Sequence, residues 1–389
     1  MPVINSIAAL KDEMTEWRRD FHAHPELGFE EVRTSAIVAE KLASWGIEVT
    51  RGIAGTGVVG TLRGQGASGR AIGLRADMDC LPIEEENDLP YRSRHSGRMH
   101  ACGHDGHTTM LLGAARYLAE TRNFSGTVHF IFQPAEEALG GGLKMVEEGL
   151  FDRFPCDQVY GLHNWPLLPA GKIAARPGPI MAASDKILIE IRGKGGHGAM
   201  PHLSIDPVFV AAQIVTALQG LVARFTDPLD SAVVSVTTFN AGTAFNVIPE
   251  TARLTGTVRT LREATRDRLE RQIGEVARAI AASFGAEADY EYRRGYPVTV
   301  NHEAETRLAA EVAARVVGAE NVVPDAPPTM GAEDFSFMLN ERPGCYIWLG
   351  QGGGPSKSMV HNPTYDFNDE VLPVGASWFA TLVETLLPR

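Results

Sequence analysis

The chain has 389 residues, of which 44% are hydrophobic and 22% charged, which is enough to bury a large core and to divide into two domains. The net charge of −12 argues against nucleic acid and acidic membrane surfaces as partners, because binding to either needs a cationic face. We therefore expect small-molecule or protein partners.

The first residues, MPVINSIAALKDEMTEWRRDFHAHPEL, lack the basic start and apolar run of a secretory signal, and no segment offers 18 uninterrupted apolar residues. We predict a cytoplasmic protein without a membrane partner. The four cysteines are too few and too scattered for a disulfide scaffold. Only Cys102 has neighbours that suggest a metal ligand or a nucleophile.

Three polar stretches are expected to have structural roles. In FHAHPELGFEE, His22 and His24 end a predicted helix before a proline, where packing and capping are the usual tasks. The acidic stretch IEEENDLPY is predicted to be a solvated loop. In GAEDFS, Glu333 and Asp334 stand near a helix start, where the helix dipole favours acids, and are expected to shape structure or a pocket.

Helical and extended patterns alternate along the chain, which predicts an α/β fold: a largely parallel sheet with helices on both faces. Several predicted strands end in polar residues. The strands are AIGLRADMD, ending at Asp77 and Asp79; GTVHFIFQPAEE, ending at Glu136 and Glu137; DQVYGLHNWP, passing into His163; and CYIWLGQGGG, leading through a glycine-rich loop to His361. Because the carboxyl ends of parallel strands line one crevice, these side chains should gather there.

Residues 184–294 have a different pattern. DKILIEIRG, AVVSVTTFN, ARLTGTVRT and ADYEYRR read as strands, and two amphipathic helices lie between them in a β-α-β-β-α-β order. This order is the split unit of ferredoxin-like domains. We predict an inserted α+β domain at 184–294 and a catalytic domain formed by residues 1–183 and 295–389.

The stretch MHACGHDGH, residues 99–107, carries three histidines, a cysteine and an aspartate directly before a predicted helix. Its histidines could cap that helix, or Cys102 and His104 could bind a divalent transition metal such as zinc. The polar strand ends predicted at the same rim favour the metal site. They exceed the four ligands of a closed structural zinc site, which suggests two ions.

Two ions point to a hydrolase in which a bridging water is activated and a nearby carboxylate moves its proton. Glu136 and Glu137 are adjacent, and consecutive side chains of an extended chain point in opposite directions. One could bind metal while the other acts as base; their spacing does not distinguish the two assignments.

The sequence resembles the hippurate hydrolase and auxin-conjugate amidohydrolase branch of the dinuclear-metal aminoacylase and carboxypeptidase superfamily. The resemblance spans nearly the whole chain and rests on a series of motifs in one order: HPELGFEE, RADMD, HACGHDGH, FQPAEE, GLHN, GGHGAMPH, NVIP, GTVRT and GAEDFS.

The resemblance implies roles for individual residues. The metal ligands of this branch fall on five positions, and they are Cys102, His104, Glu137, His163 and His361. Its general base falls on Glu136. Asp79 resembles an aspartate that orients a metal-bound histidine, whereas Asp77 occupies a position where the wider superfamily has a histidine ligand.

For the inserted domain, the resemblance implies a lid and a homodimer or higher homo-oligomer. His197 resembles a histidine that stabilises the oxyanion, sometimes in the partner subunit's active site. Asn246 and Arg259 resemble residues that hold the substrate carboxylate, for which an arginine fork is well suited.

The sequence therefore predicts an amidohydrolase that cleaves small-molecule N-acyl amino acids with two divalent ions per subunit, whether Zn, Mn, Co or Ni. Two alternatives remain at this stage. One is a cysteine hydrolase with Cys102 as nucleophile and His104 or His107 as base. The other is a metal-binding protein without catalysis, although such a protein has no need of a carboxylate beside Glu137.

Overall fold

A computed structural model describes residues 3–352 and 358–389 of the chain. Residues 353–357, which belong to the predicted glycine-rich loop before His361, lie outside the described residues. The fold divides into two compact units. The first comprises the chain up to Gly178 together with Val300–Pro327 and Asp334–Arg389, and the second comprises Pro179–Thr299 and Pro328–Glu333. Across the described ranges, every helix is too short or too polar to cross a bilayer.

The strands and helices follow in chain order. The strands are β1 (Glu48–Ile53), β2 (Gly57–Arg63), β3 (Gly66–Asp77), β4 (Ser125–Gln133), β5 (Gln158–Pro169), β6 (Ile173–Ala174), β7 (Gly178–Met181), β8 (Ala183–Arg192), β9 (Gly196–His197), β10 (Ala232–Ala241), β11 (Val247–Ile248), β12 (Thr251–Thr260), β13 (Glu287–Arg294), β14 (Thr299–Asn301), β15 (Val322–Val323) and β16 (Gly344–Gly352). The α-helices are α1 (Asn5–Ala9), α2 (Lys11–Ala23), α3 (Val32–Ser44), α4 (His104–Thr121), α5 (Glu136–Leu139), α6 (Gly141–Glu147), α7 (Leu150–Arg153), α8 (Pro207–Ala223), α9 (Glu263–Ser283), α10 (Glu303–Val317), α11 (Phe335–Glu341) and α12 (Leu372–Leu386).

The first unit is built on an eight-stranded sheet in the order β1-β2-β4-β3-β5-β16-β6-β15. Its central strands β4, β3, β5 and β16 are parallel. Side chains alternate along β3, so Ile72, Leu74 and Ala76 enter the main hydrophobic core while Arg75 and Asp77 point to the opposite face. Helix α4 packs against β3, and α11 contacts β5.

Beside the predicted parallel strands, the sheet also contains antiparallel pairs. Strands β1 and β2 pair antiparallel, as do β2 with β4 and β16 with β6. The link from β1 to β2 is only three residues long and uses left-handed backbone at Ala54 (φ 51°) and Gly55 (φ 87°). So short a link can only reverse the chain, because a parallel crossover needs a dozen residues or more.

The second unit contains a four-stranded antiparallel sheet in the order β10-β12-β8-β13. Helices α8 and α9 pack against it and complete a β-α-β-β-α-β succession. Strand β8 alternates between buried and exposed residues, and Ile187, Ile189 and Ile191 lie in a core separate from that of the first unit. This unit therefore has its own hydrophobic centre.

Candidate metal centre

The loop before α4 is shaped by a close backbone approach. Gly103 has a φ of 93°, and a Cβ placed on it would lie 2.3 Å from the side-chain oxygen of Asn164. Only glycine fits there without moving a neighbour. This glycine separates Cys102 from His104, the first residue of α4, and both side chains are buried.

The predicted ligands form overlapping groups whose coordinating atoms lie within 4.8 Å of one another. The groups are Cys102 with His104 and His163; Cys102 with Glu137 and His361; and His104 with Glu136 and Glu137. All belong to the first unit. The structure thus brings the five predicted ligands and the predicted base close together. Cys102 and His361 lie in the loops after β3 and β16, His104 begins α4, and His163 lies within β5. Glu136 and Glu137 begin α5, so they are helical and are not the extended pair at a strand end that the sequence predicted.

His163 presents a defined nitrogen to this centre. Its Nδ1 lies 2.7 Å from the main-chain oxygen of Asn164 and donates to it, so in the neutral ring Nε2 keeps its lone pair. Nε2 lies 3.4 Å from Sγ of Cys102. Burial, reinforced by the nearby His107, holds the pKa of His163 well below its usual range and so favours the neutral form that binds metal.

Asp79 contacts two of the other members. Its Oδ1 lies 3.1 Å from Nδ1 of His104, and its Oδ2 accepts a hydrogen bond of 2.9 Å from the backbone N–H of Glu137. An acceptor on Nδ1 fixes the ring so that Nε2 faces away from Asp79. The orienting role that the resemblance implies for Asp79 requires such a contact and stays a prediction.

The residues fit a divalent metal. Nε2 of the buried His104 has no hydrogen-bond partner among the described residues, which is costly unless a ligand binds at this nitrogen. Burial alone lowers the pKa of His104, but the Asp77 and Asp79 carboxylates outweigh it and raise this pKa to about 10. The same negative surroundings attract a metal cation, and thiolate, imidazole and carboxylate together suit zinc and its neighbours.

A series of buried, hydrogen-bonded side chains adjoins the candidate metal centre. Arg75 donates to Oδ2 of Asp77 at 2.6 Å, and Oδ1 of Asp77 lies 2.6 Å from Nδ1 of His107. Nε2 of His107 in turn lies 2.6 Å from the side-chain oxygen of Asn164. Both ring nitrogens of His107 are therefore engaged, and Asp77 serves this chain. Sequence reasoning assigned no role to Arg75 or Asn164; the single clue was a charged residue within the apolar run of β3.

The acidic stretch IEEENDLPY is only partly solvated. Glu85 is 3% exposed and accepts hydrogen bonds from His22, Asn87 and the backbone N–H of Ser93. The prediction of a solvated loop is therefore wrong at Glu85, because the buried His22 needs an acceptor for each ring nitrogen. Its other nitrogen lies 2.9 Å from Oδ2 of Asp105 in α4.

In the second unit, two of the predicted residues lie side by side. Strand β9 pairs with β11, which places His197 opposite Val247 and brings Gly198 N–H to the main-chain oxygen of Asn246 at 2.8 Å. His197 is exposed, and its Nδ1 accepts from the N–H of Ala199 at 3.1 Å. Neutral His197 therefore carries its proton on Nε2, where it can donate to a ligand.

Arg259 lies apart from this pair along the chain, on β12. It is half-buried and donates to Oγ1 of Thr257 and, at 3.1 Å, to the main-chain oxygen of Val258. Burial lowers the pKa of its guanidinium from the usual value. The guanidinium thus holds only neutral acceptors in these contacts, and an anion would be a stronger partner.

The chain resembles a family of known hydrolases. A model of Peptidase family M20/M25/M40 matches residues 73–385. Hippurate hydrolase of Campylobacter jejuni subsp. jejuni serotype O:2 is 43% identical over 382 residues, covering 98% of each chain. N-acetylcysteine deacetylase of Bacillus subtilis is 39% identical over 381 residues, covering 97% of this chain and 98% of the relative.

A solved structure has the same fold. It is that of a dinuclear metal-binding peptidase of the M20 family from Bacillus subtilis, with 36% identity and a TM-score of 0.86 over 98% of this chain and 99% of that one. The comparisons confirm the superfamily and the enzyme class predicted from the sequence motifs.

Proposed function

Because the chain belongs to the peptidase family M20/M25/M40, we propose that it is a metal-dependent amidohydrolase that cleaves N-acyl amino acids to a carboxylate and a free amino acid. The observation that carries this proposal is the grouping of His104 with both Glu136 and Glu137, whose coordinating oxygens lie within 4.8 Å of its nitrogen. The names of the relatives, which include a hippurate hydrolase and an N-acetylcysteine deacetylase, support an acylated amino acid as substrate.

The five predicted ligands would be shared between two ions. Cys102 and His104 could contribute to either ion, with Glu137, His163 and His361 completing the two sets. When bound, a pair of divalent ions lowers the pKa of water toward neutrality and polarises a carbonyl group. Zinc, manganese, cobalt and nickel are all compatible with this donor set.

Glu136 is assigned as the general base. Nε2 of His361 lies 3.2 Å from Oε1 of Glu137, so we assign these two as ligands together and give proton transfer to Glu136, the position of the base in the resembling branch. Oε1 of Glu136 also accepts a long, weak contact of 3.4 Å from the N–H of Asp334. In the proposed reaction Glu136 takes a proton from the attacking water and then delivers it to the departing amine.

His197 is assigned to the oxyanion. Its Nε2–H can donate to the oxygen on which negative charge develops, and a donor placed before the charge appears lowers the barrier. Asn246, tied to the same pair of strands, and Arg259 are assigned to the substrate's carboxylate. Asp79 acts indirectly, by holding His104 and the backbone of Glu137.

We assign the second unit as the lid and as the dimerisation surface of a homodimer or higher homo-oligomer. Large exposed apolar residues concentrate in it; among the described residues they include Phe209, Phe225, Leu229, Phe239 and Phe245, the last fully exposed. Phe209 is in contact with the exposed Phe284, with ring centroids 5.0 Å apart, and contiguous exposed apolar side chains mark interaction surfaces.

Hydrolysis of a panel of N-acetyl and N-benzoyl amino acids tests the proposed function. The protein is assayed as purified, after chelation, and after adding back each metal, with metal content measured in parallel. We expect activity to disappear on chelation and to return with one or two of the ions. Activity that survives complete removal of metal would refute the proposal and would favour a hydrolase with Cys102 as nucleophile.

A further inference from the structure

The HPELGFEE segment ends in a buried carboxylate that the proposed reaction does not use. Glu31, directly before α3, is 0% exposed. Its Oε1 accepts a hydrogen bond of 2.8 Å from the backbone N–H of Ala135, and its Oε2 accepts one of 2.5 Å from Oγ1 of Thr56. A carboxylate is costly to bury and is retained only where its partners matter.

The residue that Glu31 holds is strained. Ala135 has a φ of 54°, in the left-handed region that residues with a Cβ avoid, and it is followed directly by Glu136. Such a conformation persists only when its surroundings enforce it. Gly28 packs on the same point, because a Cβ placed on Gly28 would lie 3.0 Å from Cα of Ala135 and 2.8 Å from Cδ1 of Leu139.

A second carboxylate holds the other side of the turn. Oδ2 of Asp79 accepts from the N–H of Glu137 at 2.9 Å, so the Pro134–Ala135 and Glu136–Glu137 peptide groups, one before and one after Glu136, are each held by an acid from a separate part of the chain. We propose that Glu31 is a positioning residue: by holding the N–H of Ala135 it enforces the left-handed turn that aims Glu136 at the reacting centre and Glu137 at the metal.

Glu31 differs from its neighbour Glu30 in exposure and in contacts. Glu30 belongs to the same motif, yet it is exposed, and its carboxylate pairs with Arg98 at 3.0 Å. Glu30→Ala is therefore a matched control that removes a carboxylate from the segment without touching Ala135.

The inference rests on the proposed function and is tested by kinetics and by metal binding. Glu31→Ala should lower kcat on the best N-acyl amino acid by about 10²-fold with little change in KM, since a displacement of about 1 Å at a catalytic group costs that much. Its affinity for Mn²⁺ or Zn²⁺ alone, measured by calorimetry on metal-free protein, should fall about 10-fold or more. Glu31→Gln keeps an acceptor for Ala135 and should restore both quantities, and Glu30→Ala should match the wild type.

A folded Glu31→Ala protein with wild-type kcat and metal affinity would overturn the inference. So would Glu31→Gln that is as impaired as Glu31→Ala, because the charge and not the hydrogen bond would then matter. If Glu31→Ala does not fold, Glu31→Asp decides: its shorter side chain withdraws the acceptor from the N–H of Ala135 and should reproduce the loss of kcat. If the wild type hydrolyses none of the panel, the proposed function fails, while metal affinity still tests the role of Glu31.

Discussion

Glu136 and Glu137 are neighbours in sequence but have different surroundings. Burial alone raises the pKa of the Glu137 carboxyl, but the hydrogen bond with His361 and the field of His104 outweigh it and hold this pKa below its usual range. Glu137 is therefore held as an anion, which is what a metal ligand requires. The proposed division of tasks, with Glu137 as metal ligand and Glu136 as base, leads to a prediction for each residue.

Glu136→Gln should lower kcat by about 10³-fold, within the range lost with a general base, while the content of bound metal stays at the wild-type level. Glu137→Gln should instead lower the metal content, because an amide is a poorer ligand than a carboxylate. Steady-state kinetics with parallel metal analysis separates the two. A Glu136→Gln protein with near-normal activity and full metal would remove Glu136 from the role of base.

Cys102 distinguishes the metal centre from the cysteine hydrolase that the sequence left open. Burial, reinforced by Glu137 and Glu136, raises the pKa of its thiol well above the ordinary value, so a thiolate at this position needs a cation such as a bound metal beside it. Nε2 of His163 lies 3.4 Å from its Sγ, and both ring nitrogens of His107 are engaged by Asp77 and Asn164.

We expect bound metal to protect Cys102 from iodoacetamide, with chelation exposing it. Mass spectrometry of the peptide that contains Cys102 measures this protection. The buried Cys345 serves as an internal control, since its alkylation should not depend on metal. Inactivation by alkylation that metal cannot prevent, in a protein indifferent to chelators, would favour the nucleophile.

At the scale of elements, α2 and α4 are joined by ionic contacts beneath the metal loop. His22 of α2 lies between Asp105 of α4 and Glu85, and all three are buried. Although burial alone lowers the pKa of His22, its hydrogen bonds to these two carboxylates raise it to about 9. His22 is therefore charged in the fold at neutral pH and holds the start of α4, where His104 lies.

The contacts of His22 with Asp105 and Glu85 make the free energy of unfolding depend on pH in a defined direction. The pKa of His22 rises on folding from 6.5 to about 9, so its contribution is complete below pH 6.5 and is lost as pH rises toward 9. The shift corresponds to at most about 3 kcal/mol. The difference in unfolding free energy between wild type and His22→Gln should thus be larger at pH 6 than at pH 9.5. Chemical denaturation at both pH values measures it, and a difference that grows with pH would contradict the charged pair.

The elements also show what the sequence could predict about the centre. The sequence shows polar residues where apolar strands end. In the structure, β3 and β4 end at Asp77 and Gln133, and these two residues are paired neighbours. The chain of side-chain contacts from Asp77 through His107 to Asn164 could not be predicted, because these residues meet only after the sheet and α4 have packed together. Nor could the sequence show that Glu31 contacts Ala135, which lies 104 positions later.

At the scale of the whole molecule, the inserted segment is slightly longer than the sequence predicted. The predicted limits were 184 and 294, whereas the second unit comprises Pro179–Thr299 and also Pro328–Glu333. The extra segment joins through backbone contacts: Thr329 N–H donates to the oxygen of Ile180, and Ala182 N–H to that of Gly331. Such contacts leave no periodic signal in a short stretch rich in proline and glycine.

The assignment of His197 raises the question of whether it serves its own subunit or the other. The exposed apolar side chains near it include Phe245 and Val247, and Val247 is its partner in the β9–β11 pair. A surface of this kind fits an interface between subunits. We therefore predict that His197 of one subunit completes the active site of the other.

Mixing two inactive variants tests this arrangement. Glu136→Gln and His197→Ala should each be nearly inactive, but unfolded together and refolded they should regain activity. In a random mixture of dimers half are heterodimers, each with one site that combines an intact Glu136 with an intact His197, so about one quarter of wild-type activity should return. Refolding each variant alone is the control. If the mixture stays inactive although mass measurement shows heterodimers, His197 acts within its own subunit or not at all, and the activity of His197→Ala alone then distinguishes those two cases.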